Sequence, residues 1–241
     1  MRFGLIADIH ANLPALELVL AELEAARVDQ IVCLGDVASL GPQPREVIAR
    51  LRQQRIPVIQ GNHDAYLLNL ELAEPQAPWL RAVEAWTQAQ LTAGELDFLR
   101  ALPAQLSFAL GADQRLLCFH GSPRSNEEWL FPTTSAELLD EAFRGCSDQV
   151  WAGGHTHVQM LRPHRQAWLI NPGSVGMPFE FPMRGGSPRS FPAAEYAVVE
   201  WADERLTAQL CRRPIDFDAV ARAARASGLP EVDQWLSAWG V

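Results

Sequence analysis

The sequence has little that would tie it to a membrane, a secretory route or a nucleic acid. Its apolar runs fall short of the ~20 residues that a membrane-spanning helix needs, and its start, MRFGLIADIH, lacks the layout of a signal peptide. The net charge of −9 disfavours stable binding to nucleic acid or to an anionic membrane. We therefore expect a cytoplasmic protein with neither kind of partner, in an oligomeric state that the sequence leaves open.

Cysteine is scarce, and no C-x-x-C pair occurs. The four cysteines are Cys33, Cys118, Cys146 and Cys211, and the first two lie in apolar runs typical of buried strands. We interpret all four as reduced thiols, with disulfides as the alternative. Two other motifs are also missing. G-x-G-x-x-G does not follow the first apolar run, which disfavours a dinucleotide-binding domain, and the absence of H-E-x-x-H disfavours a metallopeptidase of that type.

What remains is the composition of an ordinary globular protein, with 48% apolar and 20% charged residues in a chain of 241. No linker or internal repeat is visible, so we predict a single domain over residues 1–241. Within it we expect a helical excursion at 65–102, a Pro- and Gly-rich surface loop at 176–192, and a terminal hairpin and helix at 195–227.

The N-terminal part alternates apolar runs with helical patterns. RFGLIAD and IVCLGD are predicted as strands, and PVIQGNHD as a third strand leading into a loop, with a helix between each pair. This β-α-β-α-β order implies parallel strands with right-handed crossovers. The later segments RLLCFHGSP, QVWAGGHTH and WLINPGSVG again end an apolar run in a polar loop. Because open α/β sheets bind ligands at the carboxyl ends of their strands, we expect these loops to meet at one sheet edge.

Five of the six histidines fall in these loops, beside carboxylates and an asparagine. A single loop histidine is usually just solvated, but five at strand ends are hard to explain in that way. The set is Asp8, His10, Asp36, Asn62, His63, His120, His155 and His157. Carboxylates and imidazoles suit first-row divalent metals better than calcium, and the lack of thiolates disfavours structural zinc. Two carboxylates, four imidazoles and one asparagine are more than one ion needs. Two ions sharing one carboxylate would use them all, and such a pair can clamp a phosphate for in-line attack by hydroxide.

The motifs and their order resemble those of the calcineurin-like metallophosphoesterases, in particular the small bacterial and archaeal cytoplasmic branch. These motifs are Asp-x-His, Gly-Asp, Gly-Asn-His-Asp, His-Gly and Gly-His-Thr-His, and the resemblance covers nearly the whole chain. The pattern alone indicates only an α/β protein with functional loops at one sheet edge. The resemblance implies more: a four-layer α/β/β/α sandwich of two mixed β-sheets, and a dinuclear metal-dependent phosphoesterase that hydrolyses phosphate mono- or diesters with metal-bound hydroxide.

The resemblance also implies a role for each residue of the set. Seven are metal ligands: Asp8, His10 and His157 for the first ion, Asn62, His120 and His155 for the second, and Asp36 for both. His63 is not a ligand but approaches the leaving-group oxygen or a non-bridging phosphate oxygen, as a general acid or charge stabiliser. Mn, Fe, Zn, Ni and Mg all suit these ligands, and manganese is favoured. Alternation in extended backbone agrees with this split, because it separates the neighbours Asn62 and His63.

Two positions depart from the family pattern. The larger protein phosphatases of the superfamily have an aspartate soon after Gly-Asp that supports the catalytic histidine, whereas this chain reads GDVASLGPQP. That acid is therefore absent, and we expect Asp64 to point away from His63. Leu40 stands where relatives of the small branch tend to have tyrosine, which leaves substrate preference open.

Several further residues are weaker candidates for contact with the small phosphorylated substrate. Asn12 is predicted to cap the first helix and could also contact phosphate. Arg124 could pair with a phosphate oxygen, or it could be a solvated surface arginine. Phe179 and Phe181 form either an apolar lip for a base or aryl leaving group, or a packing loop or subunit contact. His164 is expected to be exposed and to have no function.

A second hypothesis keeps the fold without the chemistry. Relatives exist that use this fold as a protein-interaction module after losing catalytic residues, so the alternative is a non-catalytic, metal-binding interaction scaffold. Here His63 and every ligand implied by the resemblance remain in the sequence, which favours the enzyme.

Overall fold

Two mixed β-sheets face each other across an apolar core in this computed structural model, which describes residues 1–73, 77–111, 113–180 and 189–239. The strands are β1 (Arg2–Ile6), β2 (Gln30–Cys33), β3 (Leu106–Ala109), β4 (Arg115–Cys118), β5 (Val150–Ala152), β6 (Met160–His164), β7 (Ala167–Asn171), β8 (Phe179–Glu180), β9 (Arg189–Ser190), β10 (Ala193–Ala202) and β11 (Arg205–Pro214). The first sheet has the order β11-β10-β1-β2 and the second the order β3-β4-β5-β7-β6, while β8 pairs with β9.

Helices cover the outer faces of both sheets. They are α1 (Leu13–Ala25), α2 (Pro44–Gln53), α3 (Asn62–Leu68), α4 (Pro78–Gln90), α5 (Ala93–Arg100), α6 (Ala136–Ala142), α7 (Phe217–Ser227) and α8 (Val232–Ser237). Helices α1 and α2 bury Leu16 and Ile48 against the first sheet. Helix α6 buries Leu139 in a cluster with Trp151 and Leu169 of the second sheet. The predicted four-layer α/β/β/α sandwich is confirmed.

The central strands are apolar on both sides because each is covered twice, once by the facing sheet and once by helices. Strand β1 runs parallel to β2, and β5 runs parallel to both β4 and β7. The loops that follow β1 and β5 meet at one end of the sandwich. There the backbone N–H of His155 donates to the Asp8 carboxylate across the two sheets, with a nitrogen–oxygen distance of 3.0 Å.

The third predicted strand, in PVIQGNHD, is only a parallel bridge between Cys33 and Val58. The prediction was wrong for GNHD because a helix begins there. Gly61 is the N-cap of α3, and Asp64 at the third helical position accepts the Gly61 N–H at 2.9 Å. Asn62 is therefore the first residue of a helix and not the end of a strand.

The predicted helical excursion contains α3, a 3₁₀ turn at Leu70–Ala73, α4 and α5, with residues 74–76 outside the described part. The terminal hairpin is formed by β10 and β11 and is followed by α7 and α8. Within the described ranges, no helix is both long and apolar enough to cross a membrane.

Burial agrees with the sequence for cysteine but not for one histidine. All four cysteines are free thiols, and Cys33 and Cys118 are buried at the ends of β2 and β4. The prediction that His164 is exposed is wrong. Its side chain is 7% exposed, and its Nε2 lies 2.8 Å from Oδ1 of Asp140, because α6 packs over this end of the second sheet and supplies that carboxylate.

Candidate metal centre

The predicted ligands lie mostly in tight loops that leave the carboxyl ends of the strands. Positive φ angles between 46° and 68° occur at five of them: Asp8, His10, Asp36, His155 and His157. Left-handed backbone costs roughly 1–2 kcal/mol per L-residue, and such residues cluster at functional sites, where the surrounding structure holds them. The alternation argument that separated Asn62 from His63 was wrong in its premise, because both residues lie in the first turn of α3 rather than in an extended segment.

Two groups of potential ligand atoms converge where the loops meet, and the groups share one carboxylate. Within each group the atoms lie within 4.8 Å of one another; the groups are Asp8, His10, Asp36 and His157, and Asp36, His120 and His155. Oδ2 of Asp36 lies 3.8 Å from Nε2 of His10 and 3.3 Å from Nε2 of His120. A single carboxylate oxygen thus lies between the two groups.

Asn62 joins the second group from the start of α3. Its Oδ1 lies 3.0 Å from Nε2 of His120, and its side chain is buried. The backbone N–H of the next residue, His63, donates to Oδ1 of Asp36. The structure therefore brings all seven residues of the implied ligand set together at one end of the sandwich. Sequence motifs separated by up to 149 positions, from Asp8 to His157, meet there.

Backbone carbonyls fix the orientation of each imidazole. Nδ1–H donates from His10 to Ser39 at 3.2 Å, from His120 to Leu34 at 2.7 Å and from His157 to Met177 at 2.7 Å. His155 instead donates Nε2–H to the Glu127 carbonyl at 3.2 Å. A neutral imidazole has one donor and one acceptor nitrogen, so in the neutral form the lone pair would lie on Nε2 of the first three rings and on Nδ1 of His155.

The residues present fit divalent cations. Nε2 of His10 and Nε2 of His157 are 3.0 Å apart, and with both Nδ1 protons donated elsewhere, two lone pairs face each other. Oδ2 of Asp36 is buried and, among the described residues, accepts no hydrogen bond. Buried carboxylates are costly unless they are paired or coordinate a metal. Converging lone pairs and an orphaned carboxylate oxygen are what a bound cation would satisfy.

Electrostatics within the cluster favour neutral imidazoles at two of the ligand positions. Burial and the neighbouring His157 lower the pKa of His10 to about 3. Burial and His120 lower the pKa of His155 to about 4. At His120, burial acts in the same direction, but the charge of Asp36 outweighs it and raises the pKa to about 10. The cluster thus attracts positive charge beside Asp36, the position that a shared cation would occupy.

His63 lies beside the two groups and has a carboxylate partner that the sequence did not reveal. Its Nδ1 lies 2.5 Å from Oε1 of Glu84, which is fully buried on α4. Its backbone N–H donates to Oδ1 of Asp36 at 3.0 Å. Burial lowers the pKa of His63, but Asp36 and the hydrogen bond to Glu84 outweigh it and raise the pKa above its ordinary value. Glu84 was missed because it lies 21 positions away in a helix whose partner is unknown from sequence.

Asp64 supports the centre through the backbone. Its carboxylate accepts N–H groups from Asp36 at 2.9 Å, Val37 at 3.0 Å and Gly61 at 2.9 Å. It therefore fixes the loop that presents Asp36 and is not the partner of His63. Ser174, in the segment NPGSVG, supports the loop that presents Asp8, because its Oγ donates to the carbonyl of Asp8 at 2.7 Å.

The two predicted substrate contacts are already engaged within the protein. Asn12 caps α1 by accepting the Ala15 N–H at 3.2 Å, and its amide nitrogen donates to the Gly176 carbonyl at 3.0 Å. Arg124 pairs with Glu128 and with Glu141. Each side chain keeps donors beyond these bonds, since an amide NH2 has two and a guanidinium has five, so a phosphate contact by either residue stays a prediction.

Aromatic side chains flank the centre on two sides. Phe179 stacks on His157 with ring centroids 4.4 Å apart, and its backbone N–H donates to the His157 carbonyl at 3.1 Å. Trp129 contacts His155 with centroids 4.7 Å apart and is 51% exposed. Phe181, the other half of the predicted apolar lip, lies outside the described residues.

Comparisons with known proteins agree with this architecture. The sequence matches the calcineurin-like phosphoesterase superfamily domain over residues 1–202. A crystal structure of a metallophosphoesterase from Sphaerobacter thermophilus is 31% identical, with a TM-score of 0.75 and coverage of 100% of this chain and 99% of that one. Phosphodiesterase YfcE of Escherichia coli is 25% identical over 228 residues, covering 89% of this chain and 100% of its own. An uncharacterized protein of Methanocaldococcus jannaschii is 28% identical over 250 residues, covering 97% and 94%.

The family match spans most of the chain, and the sandwich presents buried His and Asp groups that could hold metal at one end. The resemblance seen in the motifs is thereby confirmed. The chain belongs to the calcineurin-like phosphoesterase superfamily, a family of hydrolases that use divalent metals, and it is a phosphoesterase of that family.

Proposed function

We propose that the protein is a dinuclear phosphoesterase that hydrolyses phosphate mono- or diesters. The observation that supports this most directly is the shared carboxylate. Asp36 belongs to both groups of potential ligands, and its Oδ2 lies between an imidazole of each. A single-ion site would need neither the second group nor a common oxygen.

In this proposal, Asp8, His10 and His157 would hold one ion, Asn62, His120 and His155 would hold the other, and Asp36 would contribute to both. Manganese is the metal we expect first, because the donor set is oxygen and imidazole without thiolate. Two such ions would supply hydroxide at neutral pH and neutralise the phosphoryl charge.

The protein itself would contribute orientation and a proton. The four ligand imidazoles are held by backbone carbonyls, so each lone pair is aimed before substrate arrives. His63 stands beside the groups with Nδ1 bonded to Glu84, which leaves Nε2 to donate a proton to the leaving-group oxygen.

The test begins with elemental analysis of protein purified without chelator, followed by turnover assays with added Mn²⁺. Substrates are p-nitrophenyl phosphate, its bis ester, and nucleotide mono- and diesters. We expect two metals per chain and turnover of at least one class. Metal binding without turnover of any ester would favour the alternative of a non-catalytic scaffold, and protein that holds no metal would refute both.

Two variants separate the proposed roles. Asp36→Asn should lower the metal content. His63→Ala should retain the metal and slow the hydrolysis of esters with alcohol leaving groups by about 100-fold, the lower end of what a general acid contributes. His164→Ala is the matched control, because this buried histidine bonds Asp140 and belongs to neither ligand group. Equal metal loss in the Asp36 and His63 variants would contradict the assignment.

A further inference from the structure

Helix α4 inserts a fully buried carboxylate beside the centre. Glu84 is 0% exposed, and each of its two oxygens contacts a residue next to the ligand groups. Oε1 lies 2.5 Å from Nδ1 of His63, and Oε2 accepts from the Ser39 hydroxyl at 2.5 Å. The carbonyl of Ser39 in turn accepts from Nδ1 of the ligand His10. The carboxylate therefore links His63 to the loop that follows Asp36.

A contribution to folding stability does not explain why a buried carboxylate stands at position 84. A buried carboxylate is desolvated, and well-packed apolar residues can replace buried ion pairs without loss of stability. The residue next to it, Val83, is fully buried in an apolar cluster with Leu40 and Trp235. The same helix could therefore be anchored by apolar contacts, and a carboxylate at position 84 calls for another reason.

The geometry around His63 supplies that reason. The ring packs edge-on against His10, with centroids 5.4 Å apart and an interplanar angle of 81°, and against Tyr66 at 5.2 Å and 74°. The hydrogen bond to Glu84 fixes the rotation of the imidazole ring of His63 within these contacts, and it keeps the proton on Nδ1. Nε2 is then the only ring nitrogen of His63 that can contact a molecule bound between the two groups of potential ligands.

We propose that Glu84 is the positioning residue for His63, and that it sets the ring so that Nε2 faces the leaving-group oxygen of the ester. This inference rests on the proposed function for its kinetic consequence. The larger protein phosphatases place a supporting acid soon after the Gly-Asp motif, whereas this chain brings one from α4. In this proposal, the helical excursion at 65–102 contributes the residue that positions His63.

The kinetic test compares wild-type, Glu84→Gln and His63→Ala proteins loaded with Mn²⁺, on phosphate esters whose leaving groups run from p-nitrophenol to simple alcohols. Poor leaving groups depend most on a proton donor. We expect Glu84→Gln to lower kcat about tenfold or more for alcohol leaving groups and far less for p-nitrophenol, with little change in KM. The double variant should be no slower than His63→Ala alone, because both changes remove one function.

Thr87→Val is the matched control on the same helix. Thr87 is fully buried one turn beyond Glu84, and its hydroxyl has no hydrogen-bond partner among the described residues, so its loss should leave the leaving-group dependence unchanged. A loss in Glu84→Gln that is equal for all leaving groups, or that follows a fall in metal content, would overturn the proposal and make Glu84 a structural tie.

Proton NMR of the histidine rings provides a readout that does not depend on turnover. A ring N–H bonded to a carboxylate resonates downfield. We expect such a signal from Nδ1–H of His63 in wild-type protein, its absence in His63→Ala, and an upfield shift in Glu84→Gln. If this His63 signal shifts in Glu84→Gln but the wild-type protein hydrolyses no ester, the proposed function fails while the contact between His63 and Glu84 stands. If Glu84→Gln leaves the signal unchanged, the positioning proposal fails.

Discussion

At the scale of single residues, the centre depends on backbone conformations that most side chains avoid. Asp8, His10, Asp36, His155 and His157 all have positive φ, and Asp and His tolerate this region better than bulkier residues do. The surrounding hydrogen bonds hold them there, as when Asp64 accepts the backbone N–H of Asp36. Strained turns of this kind allow side chains from three different strand ends to face one point.

Glycine is needed where another backbone segment comes closest to Asp36. A β-carbon added at Gly61 would overlap the carboxylate and the backbone nitrogen of Asp36, whereas one added at Gly94 in α5 would meet nothing within 4 Å. We expect Gly61→Ala to lower the free energy of unfolding by about 1–3 kcal/mol, as overpacking does, and to reduce metal content.

Gly94→Ala is the control for that substitution and should be neutral or stabilise the protein by up to about 1 kcal/mol. Denaturant unfolding and elemental analysis of both variants check the pair. Normal metal content in Gly61→Ala would show that Asp36 can move without losing the ions.

At the scale of elements, helices that are distant in sequence support the loop that presents Asp36. Trp235 of α8 donates its indole N–H to the carbonyl of Leu40 at 2.7 Å, and Leu40 is 6% exposed with a φ of 65°. Val83 of α4 and Val220 of α7 pack in the same cluster. Leu40 therefore serves as an anchor between the loop and the helices in this chain.

The indole contact can be tested with a smaller aromatic ring, a change that also removes part of the buried side chain. Trp235→Phe retains an aromatic ring but leaves the Leu40 carbonyl without its donor, and an unsatisfied buried group costs roughly 1–3 kcal/mol. We expect a lower midpoint in denaturant unfolding, with the metals still bound. Trp168→Phe, at a tryptophan that is 39% exposed in β7, should have a much smaller effect. Equal effects of the two changes would mean that the hydrogen bond contributes little.

At the scale of the whole molecule, the centre joins the two sheets. Asp8 and Asp36 follow strands of the first sheet, whereas His120 and His155 follow strands of the second. A cation bound by residues from both sheets would hold the ends of the sandwich together and neutralise two fully buried carboxylates. Metal binding should therefore be linked to global stability.

The stabilisation expected from metal binding is large enough to measure. An ion that binds only the folded state adds about 2.7 kcal/mol at a free concentration of 100 times its Kd, which in a protein of this size corresponds to a Tm increase of roughly 5–10 °C. Calorimetry of chelator-treated protein with and without Mn²⁺ should show an increase of at least this order. Asp36→Asn should reduce the increase strongly. An identical Tm with and without metal would argue against a centre that spans both sheets.

Some residues of the candidate site could be predicted from the sequence, whereas Glu84 could not. Asp8, Asp36, His120 and His155 could be proposed as partners because each follows an apolar run that reads as a buried strand. Glu84 could not, since a glutamate in an amphipathic helix is usually solvated and nothing local shows which element the helix meets.

The sequence by itself determined an α/β protein with functional loops at one sheet edge and the order of the predicted ligand motifs, because buried strands and polar turns leave strong local patterns. The resemblance of those motifs to a known family implied the layered fold. Only the tertiary structure decided that GNHD begins a helix, that Asn12 and Arg124 are engaged within the protein, and that a carboxylate on α4 meets His63. The reason is physical: hydrophobic periodicity is written locally in the chain, whereas a contact between two side chains depends on how separate elements pack, which no short stretch of sequence specifies.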